Sequence, residues 1–455
     1  MKKLWLVLLS LGLVMAFSVS AFAVDVKVSG EYYAAGLYLD KTHVMDNNPG
    51  YYEANSSAFF FQRLRVGTDF VVSPCLKLVT RFDAMERIWG GQRSTTGTTP
   101  AVDSAGTREE NENIAVDWAY INYVAPVGTF DVGYMNSGAT GTIFGNSAVP
   151  AGRIKYYSPL IKGAININAD ITKSTDNSYS AVNDTAEWTD ADKDGYAIEG
   201  VYNFRNDKAS GKAAFKIAYT RDATKRVSVD EYKSTYFTFT PWAIAKIGPV
   251  TLQAEINWAT GDYRDYDTAT PGDVDLDNLS AFVDATATFA PIYVGATVAY
   301  VSGDDPDTED KKEGGTLKGG YDWNPCLIMF NYYDTYNWVG AISGYDGSVV
   351  NGGMSNAWFF QGRVGVRPTP QLDINLAIAY ATADEKPDPD KTGITFDNGD
   401  YGTEVDLTGT YKITNNLSYM LGAGYLFTGD YYKGYGGNND VDNDFIVLNK
   451  LTLSF

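Results

Sequence analysis

Arginine, lysine and aspartate recur at every second position in two neighbouring segments of this chain. In Phe60–Phe70, Arg63, Arg65 and Asp69 share one parity, while Phe60, Leu64, Val66 and Phe70 share the other. In Leu76–Ile88, Lys77, Arg81, Asp83 and Arg87 oppose Leu76, Leu78, Phe82 and Ile88. Asp117, Asp131, Arg153 and Lys155 follow further along the chain. Side chains of both signs on one face of extended chain, lining a water-filled space, set a field that sorts solutes by sign and orientation. Taken one at a time, the same residues read as paired charges on a solvated face.

Other chemistry finds little support. The only histidine is His43, so neither a Ser-His arrangement nor a histidine metal site can be assembled. There is no phosphate-binding glycine loop, no dinucleotide fingerprint and no Cys-His spacing, and no enzymatic activity or cofactor is expected. Asp190-Ala-Asp192-Lys-Asp194-Gly195 reproduces the first half of a calcium loop, but the position expected to carry a bidentate Glu is Val201. A plain acidic turn is the favoured reading there, with loop-bound calcium the alternative.

These side chains need strands to position them. A strand sends alternate side chains to opposite sides, and eighteen period-2 segments run from 25–39, 57–72 and 76–89 through to 401–413, 417–429 and 444–455. Sixteen is the competing count, because 151–174 and 231–246 are less regular. Short turns such as Ser73-Pro74, Pro126-Val127, Gly248-Pro249 and Asn415-Asn416 alternate with long polar connections such as 89–112, 175–194, 304–352 and 384–400. That alternation predicts an all-β fold, a transmembrane antiparallel up-and-down β-barrel of about eighteen strands, with short periplasmic turns and long extracellular loops. Its polar face would point inwards and its apolar face outwards. Ten aromatic residues near strand ends, Trp118, Tyr120, Tyr156, Tyr219, Trp258, Tyr300, Trp358, Tyr380, Tyr425 and Phe427, are expected in two interfacial girdles.

The chain termini and composition agree with export to an outer membrane. Met1-Lys-Lys, the apolar run Leu4–Val19 and Ala21-Phe22-Ala23 form a signal-peptide pattern over 1–23, leaving 24–455 as the barrel. Removing 1–23 takes away two lysines and no acids, moving the net charge from −20 to −22. Such a balance argues against nucleic acid as a partner, and the acidic excess sits in segments 304–313 and 384–390. Cys75 and Cys326 fall at opposite ends of the predicted barrel and are expected as free thiols, unless a long loop folds inwards.

One connection has the wrong composition for water. Segment 137–150, between the fifth and sixth strands, is rich in small residues, carries Ile143-Phe144 at its centre and has no charge before Pro150. Folding it into the barrel would bury Ile143 and Phe144 and narrow the pore.

The last strand, Phe445-Ile-Val-Leu-Asn-Lys-Leu-Thr-Leu-Ser-Phe455, places Phe445, Val447, Leu451, Leu453 and Phe455 on one face, although Ile446 and Leu448 blur the other. Together with Phe61-Gln-Arg-Leu-Arg65, Leu78-Val-Thr-Arg-Phe-Asp83, Asp117-Trp-Ala-Tyr120 through Gly145, and Gly402-Thr-Glu-Val-Asp406, it makes the chain resemble Gram-negative general porins. The resemblance implies a homotrimeric diffusion channel for small hydrophilic solutes, a third loop that constricts the pore, and Phe455 as the tag read during insertion. The C-terminal part is also similar to alginate-export-type barrels, which implies an anionic polysaccharide instead. A structural or adhesive surface barrel is the remaining alternative. The final strand is expected to close the ring against Val26 and Val28.

Overall fold

The computed structural model describes residues 24–46, 54–90, 114–137, 141–145, 149–177, 191–227, 231–268, 272–315, 323–386, 396, 398–435 and 439–455. The signal-peptide segment 1–23 lies outside these residues. Eighteen strands follow the chain: β1 Asp25–Leu39, β2 Ser57–Ser73, β3 Leu76–Ile88, β4 Ala115–Ala125, β5 Gly128–Asn136, β6 Pro150–Tyr157, β7 Ile165–Thr175, β8 Lys193–Arg205 and β9 Ala209–Asp222. The second half comprises β10 Tyr232–Ile247, β11 Val250–Tyr266, β12 Val274–Phe289, β13 Ile292–Val301, β14 Ala357–Thr369, β15 Leu372–Ala383, β16 Asp400–Lys412, β17 Leu417–Thr428 and β18 Asp444–Ser454. The two irregular segments contain the full strands β6, β7 and β10, so the count is eighteen rather than sixteen.

Each strand pairs antiparallel with its sequence neighbours, and β18 pairs with β1, so the sheet closes on itself. Closure satisfies every strand edge, which is what a sheet surrounded by apolar medium needs. The joint is set by Glu31 opposite Ser454 and Leu39 opposite Ile446. Phe455 exchanges backbone hydrogen bonds with Gly30, at 2.8 and 3.0 Å. A Cβ on Gly30 would stand 2.7 Å from the Phe455 ring, so glycine is what lets that ring lie against β1. Val26 and Val28, expected opposite the last strand, pair only with Phe70 and Thr68 of β2. The final strand is four residues shorter than β1, and it meets β1 higher than the sequence suggested.

The outer surface is apolar along alternate positions: Val132, Ile154, Ile198, Phe215, Trp258, Val298, Ile378 and Leu451 are all exposed. Among the described residues no helix is long and apolar enough to cross a membrane, which says nothing about strands. The buried apolar core lies inside the ring, on the segment 302–356 that follows β13. Trp323, Ile328, Met329, Phe330, Ile342, Val350 and Met354 pack there against Tyr33, Leu37 and Leu39 of β1, Phe61 of β2, Phe359 of β14, and Ile446 and Leu448 of β18. Segment 304–352 was expected to be an external polar loop; part of it is a plug.

Candidate functional site: the lumen and its two infolded loops

The β2–β4 wall carries the charges with which the sequence pattern began. Arg65 grips Asp83 with two hydrogen bonds, Nε to Oδ1 at 2.7 Å and Nη2 to Oδ2 at 2.6 Å, a geometry suited to the planar guanidinium. Asp117 accepts from Arg81 Nε at 3.0 Å and lies 3.7 Å from Arg65. Lys77 pairs with Asp69 at 2.7 Å. Arg63 is buried, 3.9 Å from Glu31 and 3.7 Å from Glu86, with its guanidinium over the rings of Tyr33 and Tyr333. Acids and bases therefore alternate within one wall. Each of these four bases has an acid within 4 Å on the same wall.

Two ladder irregularities decide which residues belong there. The β4 register slips between Val116 and Trp118, leaving Asp117 as an extra residue. That bulge turns both Asp117 and Trp118 inwards, and the Arg81 guanidinium lies 3.6 Å over the Trp118 ring. Trp118 and Tyr120 are thus lumen residues, not girdle residues; Tyr120 pairs with Val79, on the inward parity of Arg81. The other eight predicted girdle aromatics face outwards. The second slip lies on β3 at Met85, a left-handed residue with φ 55°. It reverses the parity beyond, so Arg87 pairs with Gln62 and shares the outward face of Phe60 and Trp89. Arg87 is not in the lumen.

Of the loop 137–150, the described core 141–145 lies inside the ring against the β11–β12 wall. Thr142 donates to Glu255 Oε2 through its backbone N–H at 2.7 Å and its hydroxyl at 2.8 Å, and Asn257 donates to Glu255 Oε1 at 2.8 Å. Phe144 is fully buried, stacked on Phe282 at 4.9 Å and edge-on to Trp323 at 5.2 Å. Gly141 adopts φ 83° where a side chain would run into Glu255. Ile143 departs from expectation: it is 47% exposed, because the anchoring of Thr142 and Phe144 turns the residue between them away from the wall.

The plug, residues 323–356, was not found in the sequence, though its composition carried a signal. Trp323-Asn-Pro-Cys-Leu-Ile-Met-Phe330 is an apolar run out of place in an external loop. The inward apolar pair Ile446 and Leu448, which blurred the polar face of β18, is the surface on which this loop sits. Cys326 is buried within it and Cys75 is exposed in a turn; both are free.

Two cavities lie along β6–β12. A cavity of about 760 Å³ opens on one side of the third loop, bounded by Tyr236, Asn257, Tyr263, Asn278 and Ser280 among others. A smaller one of about 180 Å³ is lined by Lys155, Tyr157, Asn168, Asp170 and Glu199. Ser137, Arg153 and Lys216 line both. Arg153 Nη1 reaches Asp170 at 3.3 Å and the Thr172 hydroxyl at 2.5 Å. Lys155 is buried and donates to the carbonyls of Asn136, at 3.0 Å, and Ser137. Asp131, opposite Lys155, accepts from Asn122 at 2.6 Å. Lys216 interacts with Glu199, Asp170, Arg153 and Glu255, and was missed because it stands alone among apolar neighbours in sequence.

Two further expectations have definite places. Asp192 and Asp194 are both bridged by Lys173, the latter at 3.2 Å. Asp190 lies outside the described residues. His43 forms a parallel bridge with Ser343 of the plug.

With this geometry in hand, known proteins can be compared. No family model and no curated protein matches the chain. Among solved structures, OccK9 (OpdG) of Pseudomonas aeruginosa superposes with TM-score 0.51 at 13% identity, covering 95% of this chain and 99% of that one. A BenF-like porin from Pseudomonas fluorescens Pf-5 gives TM-score 0.50 at 13% identity, with 95% and 99% covered. The fold is that of the outer-membrane channels. Likeness at this identity extends to the fold alone.

Proposed function

We propose that the chain forms a water-filled channel that passes small hydrophilic solutes and ions across the outer membrane by diffusion. The observation that carries this reading is the third loop pinned to Glu255, leaving two cavities that share Ser137, Arg153 and Lys216. Barrels of this size hold an aqueous interior, and the route runs between segment 141–145 and the β6–β11 wall. Arg153, Lys155 and Lys216 face Asp170 and Glu199 along it, so solutes are sorted by charge in a field set by those five side chains. Two infolded loops leave little bore for an extended polysaccharide, which favours small solutes. The homotrimer belongs to this proposal as well.

Planar-bilayer recording tests it. Purified protein should insert with discrete conductance steps, grouped in threes for a trimer, and a salt gradient should give a non-zero reversal potential. Folded protein that conducts nothing would sink the channel reading.

A further inference from the structure

We propose that Cys326, Glu404 and Asp406 form a binding site for a divalent cation of the zinc type, which clasps the plug to the barrel wall. The inference is independent of what passes through the channel. Glu404 and Asp406 stand two apart on β16 and so face the same side of the sheet, towards the plug. Cys326 lies on the plug opposite them, and ligand atoms of the three residues all fall within 4.8 Å of one another. All three side chains are buried, Cys326 to 3% exposure and the carboxylates to 0% and 5%.

Charge balance points to a cation. Among the described residues neither carboxylate has an ion pair; besides each other, their partners are backbone amides. Glu404 accepts from the N–H groups of Ile328 and Met329, each at 2.7 Å, and Asp406 Oδ2 accepts from Leu327 at 3.2 Å. Asp406 Oδ1 is buried without a hydrogen-bond partner. A buried carboxylate held only by neutral donors is costly, and two side by side more so. One thiolate and two carboxylates with unused lone pairs make a borderline-soft donor set suited to Zn²⁺, at about 2.3 Å to sulfur and about 2.0–2.2 Å to oxygen. Binding would displace the thiol proton and satisfy Oδ1. The only competing way to neutralise the pair is a proton, and the experiment separates the two.

Because the site is enclosed, the ion must load as the protein folds. The full chain carrying Cys75→Ser, which removes the exposed thiol, would be refolded with cobalt(II), stripped of loose metal with chelator, and analysed for metal content and absorption. The expected result is one cobalt per chain with a thiolate-to-metal charge-transfer band. In Cys326→Ser the band should vanish, and in Asp406→Asn the apparent affinity should fall by about a hundredfold, the upper end of what changes outside the ligand set already cause. Heat-dependent gel mobility identifies folded barrels, so a variant that misfolds is recognised as such and Asp406→Asn remains as a second reading. Folded Cys75→Ser protein without bound cobalt, or an unchanged band in Cys326→Ser, overturns the proposal. Neither result depends on conductance.

Discussion

Thr142 holds the Glu255 carboxylate with two donors, its amide and its hydroxyl, across the lumen from the strands that carry the third loop. Hydrogen bonds to an ionised acceptor contribute about 1.5–3 kcal/mol each. Glu255→Ala should therefore free segment 141–145, and single-channel conductance should rise with added open-channel noise. An unchanged current trace would mean that the segment stays in place without this anchor.

Phe144 is the apolar half of the same attachment. Phe144→Ala removes its stack on Phe282 and its contact with Trp323, a loss of about 3–5 kcal/mol for a buried aromatic. The barrel should persist on heat-modified gels, because its ladders are untouched. Proteolysis in the 137–150 loop should become at least tenfold faster, by an order-of-magnitude estimate from that energy. Equal cleavage rates in both proteins would contradict the anchoring role.

Selectivity distinguishes the two charged walls. Lys216→Glu should move the reversal potential in a salt gradient towards cations, since Lys216 borders both cavities. Arg87→Glu should leave it unchanged, because the slip at Met85 turns Arg87 to the outer face. A shift from Arg87→Glu equal to that from Lys216→Glu would place the route along β2–β4 instead.

The loop after β13 carries a pH dependence of defined sign. Burial raises the Asp304 carboxyl, but Lys312 at 2.5 Å and the amides of Gly314 and Glu313 outweigh it and hold the group below the usual aspartate range. A depressed carboxyl contributes stability above its unfolded value and loses it as pH falls through the folded one. Amide exchange of Glu313 and Gly314, corrected for intrinsic rates, should accelerate only below the ordinary aspartate value. Acceleration on raising the pH from neutrality would contradict the assignment.

The ring itself was legible in the sequence because two signals coincide, period-2 alternation and a strict alternation of short and long connections. The lumen residues were legible only where the ladder is regular. Arg65, Lys77, Arg81 and Asp83 face inwards as their parity requires. Arg87, Trp118 and Tyr120 were misplaced, the first because one left-handed residue at Met85 reverses every side chain after it. Nothing in the local residue types announces such a slip. Phe144 was found because an uncharged loop is poorly suited to water, and the same reasoning applied to Trp323–Phe330 would have found the plug. Lys216 and Glu255 gain their meaning from loops distant in sequence, and no spacing reveals that.

The plug also bears on how the ring holds together. It hangs from β13, yet its floor is built from β1 and β18, the first and last strands, and Lys450 of β18 reaches Asp334 of the plug at 3.1 Å while lying 4.5 Å over the Tyr33 ring of β1. The one joint in the wall made by the two ends of the polypeptide is thus riveted from inside by a segment from its middle. That rivet cannot seat until the last strand arrives, so a barrel with its plug in place is a barrel whose seam has already shut.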